Sequence, residues 1–151
     1  MADTPRFGIR FKGQPANEDH PGPGAIRGEV AAPAARHDRV PIYHSALELA
    51  GQAHAVIELA ETERFFLRDQ LDRKSSLIPQ LIAQGLATAD MSGRRALFRQ
   101  ARHALTDCAT IFDMMLERSS ARRDVLDRAR SLALALLDQL VPLTTEPPKM
   151  W

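Results

Sequence analysis

Two histidines in this chain stand four residues before a glutamate, His44 with Glu48 and His54 with Glu58. On a helix that spacing puts imidazole and carboxylate on one face, where each pair offers two ligands to a metal ion. His103 and Asp107 repeat the spacing, and the single cysteine, Cys108, follows directly. A carboxylate-bridged metal pair in a helical bundle needs a Glu from each of two helices and a Glu-x-x-His from each of the other two. The sequence contains no Glu-x-x-His. The His44/Glu48 and His54/Glu58 pairs lie opposite the apolar side of their segment and read as solvated surface, while His103 and Asp107 read as partners in a local hydrogen bond. Cys108 falls on an apolar side, where a free thiol behaves as a small hydrophobe. A nucleophile would need an exposed, electropositive setting with a base in reach. With no phosphate loop, G-x-G-x-x-G, G-x-S-x-G or Cys-x-x-Cys, the expectation is a non-enzyme without catalytic, cofactor-binding or metal-binding residues.

Charge offers a different chemistry. Arg94, Arg95, Arg99 and Arg102 open one segment with no acid between Asp90 and Asp107, whereas residues 40–63 carry four glutamates and no Lys or Arg. Glu48, Glu58 and Glu61 make the second region acidic. Faces of opposite sign on one chain favour a heterologous head-to-tail contact between copies, the type that closes into rings. The arginines would alternatively hold phosphate backbones with little base readout. A single aromatic residue, Phe98, stands among them, short of the series of aromatics that stacks successive bases. The plain alternative to both is two solvated faces.

Four helices would position these groups. Residues 42–60 place Ile42, Ala46, Leu49, Ala53, Val56, Ile57 and Ala60 on one face. Residues 63–86 bury Phe66 or Leu67, then Leu71, Ile78 and Ile82. Residues 93–118, after a Ser92 cap, bury Leu97, Ala101, Leu105, Cys108, Phe112 and Met115. Residues 121–140 bury Val125, Ala129, Leu132, Ala133, Leu136, Leu137 and Leu140, and Pro142 is expected to stop the helix. Met114 and Met115 fill core or interface gaps. Short connections make successive helices antiparallel neighbours, which predicts an all-α, up-down-up-down four-helix bundle.

The second helix carries the most specific local signal, LRDQLDRKSSLIPQLIAQG over residues 67–85. An interior proline costs about 3 kcal/mol through its missing N–H and a clash one turn back, so Pro79 predicts a bend, with the Ser75 and Ser76 hydroxyls bonding nearby backbone groups. Gly85 either ends the helix or admits a close backbone approach. The pattern L-x-x-Q-L-x-R…S-I-P-x-N-I-A-E-G, present here as Leu67, Gln70, Leu71, Arg73, Ile78, Pro79, Ile82, Ala83 and Gly85, resembles the bacterial four-helix bundle proteins first recognised as products of intervening sequences in 23S rRNA genes. That family is related in fold to the accessory variability protein of diversity-generating retroelements. A second pattern, roughly A-x-G-S-L-x-E, is matched by Ala101, Ala104, Leu105 and Asp107. The resemblance covers about residues 42–141. It implies a compact bundle, often a homopentameric ring, and no assigned activity for most members; the retroelement relative suggests a nucleic-acid accessory role. Leu77, Leu81, Gln84 and His103 depart from it, standing where the family has Ser, Asn, Glu and Gly.

Composition agrees with one domain and tails. The chain has 151 residues, 44% hydrophobic and 5% aromatic, so its single core is aliphatic. Twenty Lys and Arg against 19 Asp and Glu leave a net charge of +1 and no global field to attract nucleic acid or a membrane. One cysteine excludes an internal disulfide framework and fits a reducing cytoplasm. No apolar run approaches the roughly 20 residues of a membrane span, and Met-Ala-Asp-Thr-Pro is no secretory signal. Residues 1–40 hold five of the ten prolines and five of the eight glycines, so they read as a disordered arm. Within it Phe7, Ile9 and Phe11 alternate with basic residues and could add to a partner's sheet edge. Residues 143–151 form an extended tail whose Trp151 could anchor on a neighbouring subunit. The resulting expectation is a cytoplasmic, self-assembling scaffold of residues 41–142, with arm and tail as further partner contacts. A nucleic-acid accessory protein is the first alternative, and a metal-dependent enzyme the second.

Overall fold

The apolar stripes recur at steps of three and four residues, broken in the second segment by Ser75 between Leu71 and Ile78, the spacing that keeps one seam of a helix turned toward its neighbours. The computed structural model describes residues 36–60, 65–118 and 122–146. These contain four α-helices: α1 (Pro41–Leu59), α2 (Phe65–Ala87), α3 (Met91–Arg118) and α4 (Arg123–Thr144). The chain divides into two units, Met1–Val30 and Ala31–Trp151, and every described residue belongs to the second. Phe7, Ile9, Phe11, Glu61 and Trp151 lie outside the described residues. No strand is present among those described.

Helix α1 packs on α2 and α4, and α3 packs on the same two, so α1 and α3 sit across one diagonal of the bundle and α2 and α4 across the other. The buried seams are Ile42, Ala46, Leu49, Ala53 and Val56 in α1; Leu67, Leu71, Ile78, Leu81 and Ile82 in α2; Phe98, Ala101, Ala104, Leu105, Cys108, Ile111, Phe112 and Met115 in α3; and Leu126, Ala129, Ala133, Leu136 and Leu140 in α4. Each fully buried Leu, Ile or Phe contributes about 1.5–3 kcal/mol, and the interleaved alanines let the helices close on one another. Phe98 and Leu126 were not among the residues expected inside. Leu97 and Val125 beside them are only half-buried, and Phe66 points outward, leaving Leu67 as the core residue of its pair.

The helix ends differ from the sequence expectation in three places. Helix α3 begins at Met91, and its cap is Asp90, whose Oδ2 accepts the Gly93 N–H at 2.7 Å, so Ser92 lies inside the first turn. Pro142 does not stop α4, which continues to Thr144. The proline costs only the bond to the Asp138 carbonyl, on an exposed part of the last turns where water can take it. Thr144 Oγ1 and Thr145 Oγ1 then donate to the Val141 carbonyl at 2.9 and 3.3 Å. At the other end, residues 37–39, placed by composition in the arm, form a 3-10 turn (His37–Arg39) packed on α1 and α2. The His37 ring meets Tyr43 edge-on at 4.8 Å.

Pro79 is accommodated inside α2. Ser75 is buried, and its hydroxyl donates to the Asp72 carbonyl at 3.2 Å; Gln80 Nε2 donates to the Ser76 carbonyl at 3.1 Å. Gly85 does not end the helix. Its α-carbon faces the Phe98 ring of α3, and an added Cβ would stand 2.7 Å from that ring, so a side chain and not a backbone makes the close approach.

Candidate interaction surfaces

The imidazoles singled out by spacing are engaged locally or lie on open surface. His44 Nε2 donates to the Asp38 carbonyl at 2.7 Å, which ties the start of α1 to the 3-10 turn. His54 Nε2 lies 4.0 Å from Glu58 Oε1, both side chains about 70% exposed. Asp107 turns away from its own helix to pair with Lys74 of α2 at 2.9 Å. Among the described residues, no three His, Cys, Asp or Glu side chains gather around a point that could hold a metal. Cys108 is buried, and burial with the nearby Asp107 charge pushes its thiol up to about 12, against a smaller opposing effect of Lys74.

The arginines split into two groups. Arg94 turns back toward α2, where its Nε donates to the Thr88 carbonyl at 2.9 Å and binds the α2–α3 corner. Arg95, Arg99 and Arg102 follow one another at i, i+4 and i+7, one stripe of α3. Arg95 lies 3.9 Å from Glu146, and Arg102 Nη1 donates to the Thr144 hydroxyl at 3.4 Å, so this stripe borders the C-terminal half of α4. Arg99 is exposed. Further along the same border Asp113 pairs with Arg130. Between the Arg130 and Thr144 contacts, α4 exposes Leu134 and Val141 with Leu137 half-buried between them. The α3–α4 border is therefore basic on one side and apolar on the other, a combination that charge counting along the sequence did not reveal.

The outward face of α1 has the opposite character. Glu48 and Glu58 are exposed, as predicted, and no Lys or Arg occurs anywhere in the helix. Leu47 is 43% exposed beside them. Gly51 sits at the middle of this face, and a Cβ added there would meet none of the described residues within 4 Å.

The family-motif residues serve the interior and one surface pair. Ile78, Pro79, Ile82 and Gly85 are buried, Gln70 and Ala83 half-buried, and the exposed Arg73 pairs with Asp69 at 3.0 Å. Among the described residues no helix is long and apolar enough to cross a membrane. No protein-family model matches this chain, and no curated protein or solved structure is significantly similar to it.

Proposed function

We propose that the chain is a non-enzymatic interaction module that assembles with copies of itself through its helical bundle. The observation that carries this reading is the segregation of charge onto two outward surfaces: Glu48 and Glu58 on an α1 without Lys or Arg, and Arg95, Arg99 and Arg102 on α3. Because the surfaces differ, their contact is heterologous, and it propagates until rotation closes a ring. The resemblance of α2 to the 23S rRNA intervening-sequence bundle family, where a pentameric ring is common, points the same way but rests on the motif residues alone.

The up-down-up-down course belongs to this reading. Lys74 pairs with Asp107 and Gly85 abuts Phe98, while Arg102 reaches Thr144 and Asp113 pairs with Arg130, so residue numbers rise on one helix as they fall on the next. From residue 59 to 65 the chain reaches about 20 Å at most, less than the roughly 28 Å length of α1, which favours α2 returning alongside it. A formal net charge of only +1 speaks for protein contact over nucleic-acid contact.

Light scattering on a size-exclusion column, at low and high salt, tests the proposal. The expected result is a discrete oligomer whose ultraviolet absorbance is that of protein alone. A monomer across the accessible concentration range refutes self-assembly. A peak that carries nucleic acid at low salt and sheds it at high salt makes the arginine stripe a phosphate-binding surface instead.

A further inference from the structure

Glycine in a helix interior weakens it, because the residue loses more conformational freedom than alanine on folding. Such a residue persists where something must come closer than a Cβ allows. Gly85 has that reason within the chain, in the Phe98 ring; Gly51 has none among the described residues, where nothing approaches within 4 Å of its missing Cβ. Gly51 belongs to the sequence Leu47, Gly51, His54, Glu58, spaced i, i+4, i+7 and i+11, the repeat of a helix seam that packs on another helix. The buried seam of α1 is on its other side, so this is a second seam, directed outward.

We infer that the outward seam of α1, centred on Gly51, is the self-association surface, and that it seats in the α3–α4 border of a second copy between Arg99 and Arg102 on one side and Leu134 and Val141 on the other. This inference rests on the self-assembly proposed above and adds the two surfaces that meet. The chemistry is matched on three counts. Glu48 and Glu58 bring carboxylates to the arginine stripe, and Leu47 brings an apolar side chain to the exposed leucine and valine of α4. Gly51 removes the side chain that would hold the helices apart, toward the lower end of the usual 8–10 Å interaxial range. Leu47 to Glu58 covers about 16 Å of α1, long enough to span the roughly 10 Å from Arg95 to Arg102 and from Leu134 to Val141.

Sedimentation velocity on the full chain, with circular dichroism as a check on helix content, tests the inference. Gly51→Gln places a good helix former in open space, so it preserves the fold while blocking close approach; association weakens by at least about tenfold. A charge-reversed pair, Glu48→Arg with Glu58→Arg in one copy and Arg99→Glu with Arg102→Glu in another, is monomeric when each is run alone. Mixed one to one, the pair associates again, because the untouched arginines of the first copy meet the untouched glutamates of the second. A wild-type oligomer that none of these changes weakens overturns the α1 seam and leaves self-assembly standing on another surface. A wild-type monomer overturns self-assembly itself, and the seam with it.

Discussion

Gly51 lies in the middle of α1 and Gly85 in the last turn of α2, and the bundle treats them in opposite ways. Around Gly85 the α2–α3 wall is closed: a Cβ would stand 2.7 Å from one carbon of the Phe98 ring and 3.0 Å from another. Around Gly51 the described residues leave open space. One glycine is explained by the fold and the other is not, which separates residues selected by packing inside the chain from those that answer to something outside it. Measurements that perturb each wall in turn can break this contrast or sharpen it.

The largest effect is expected from removing the ring. Phe98→Ala empties the space that Gly85 is shaped to receive and is expected to destabilise the fold by about 3–5 kcal/mol, read from denaturant unfolding. A cost under about 1 kcal/mol would mean that the α2–α3 wall closes without Phe98. Cys108, on the same side of the bundle, reports closure without any mutation. With its thiol held at about 12 in place of the ordinary 9.0, thiolate-dependent alkylation at pH 8.5 is expected to be roughly a thousandfold slower in the folded protein than in denaturant. The same shift has a stability consequence of definite sign. Above pH 9 the unfolded chain sheds this proton while the folded chain keeps it, so its effect is to lower stability as pH rises from about 9 toward 12. Rapid labelling under native conditions would show the wall opening.

Gly85→Ala comes next, at about 1–3 kcal/mol of destabilisation. The added methyl must push a buried, rigid ring, and overpacking of this kind typically costs that much. Gly85→Ala combined with Phe98→Leu is expected to recover part of the loss, because a smaller side chain yields the space. An additive double mutant would place the strain somewhere other than this contact.

How far the sequence led follows from the same contrast. The four helices and most core positions were legible because burial leaves a three-and-four repeat, and the errors fell where two apolar residues adjoin. Leu97 and Phe98, like Val125 and Leu126, are neighbours, and only the unbroken series Phe98, Ala101, Leu105, Cys108, Phe112, Met115 picks out the buried member. Pro142 misled because a proline near an exposed helix end forfeits one solvated carbonyl and not the helix. Ser92 misled because Asp90, two residues earlier, is an equally good cap and leaves the first turn intact. The acidic and basic segments were visible as charge runs. Their pairing with Leu47 on one surface, and with Leu134 and Val141 on the other, was not, because it depends on which helix borders α3. Gly51 went unremarked for a related reason: a string of letters cannot say whether the space beside a glycine is full.

Gly51→Ala is the smallest effect and the most telling, since its sign is opposite to that at Gly85. With open space around the new methyl and a helical backbone on either side, alanine brings only the gain of a better helix former, about 0.5–1 kcal/mol. Urea unfolding at low protein concentration and high salt, where association between copies is weakest, is expected to show a higher midpoint with an unchanged slope. The same substitution at high concentration adds one methyl to the proposed contact surface and is expected to weaken association while the monomer gains. Greater monomer stability together with weaker assembly is a combination that an idle surface glycine cannot produce. If Gly51→Ala stabilises the monomer and leaves assembly untouched, the glycine is a local imperfection of α1 and its contrast with Gly85 carries no information about partners.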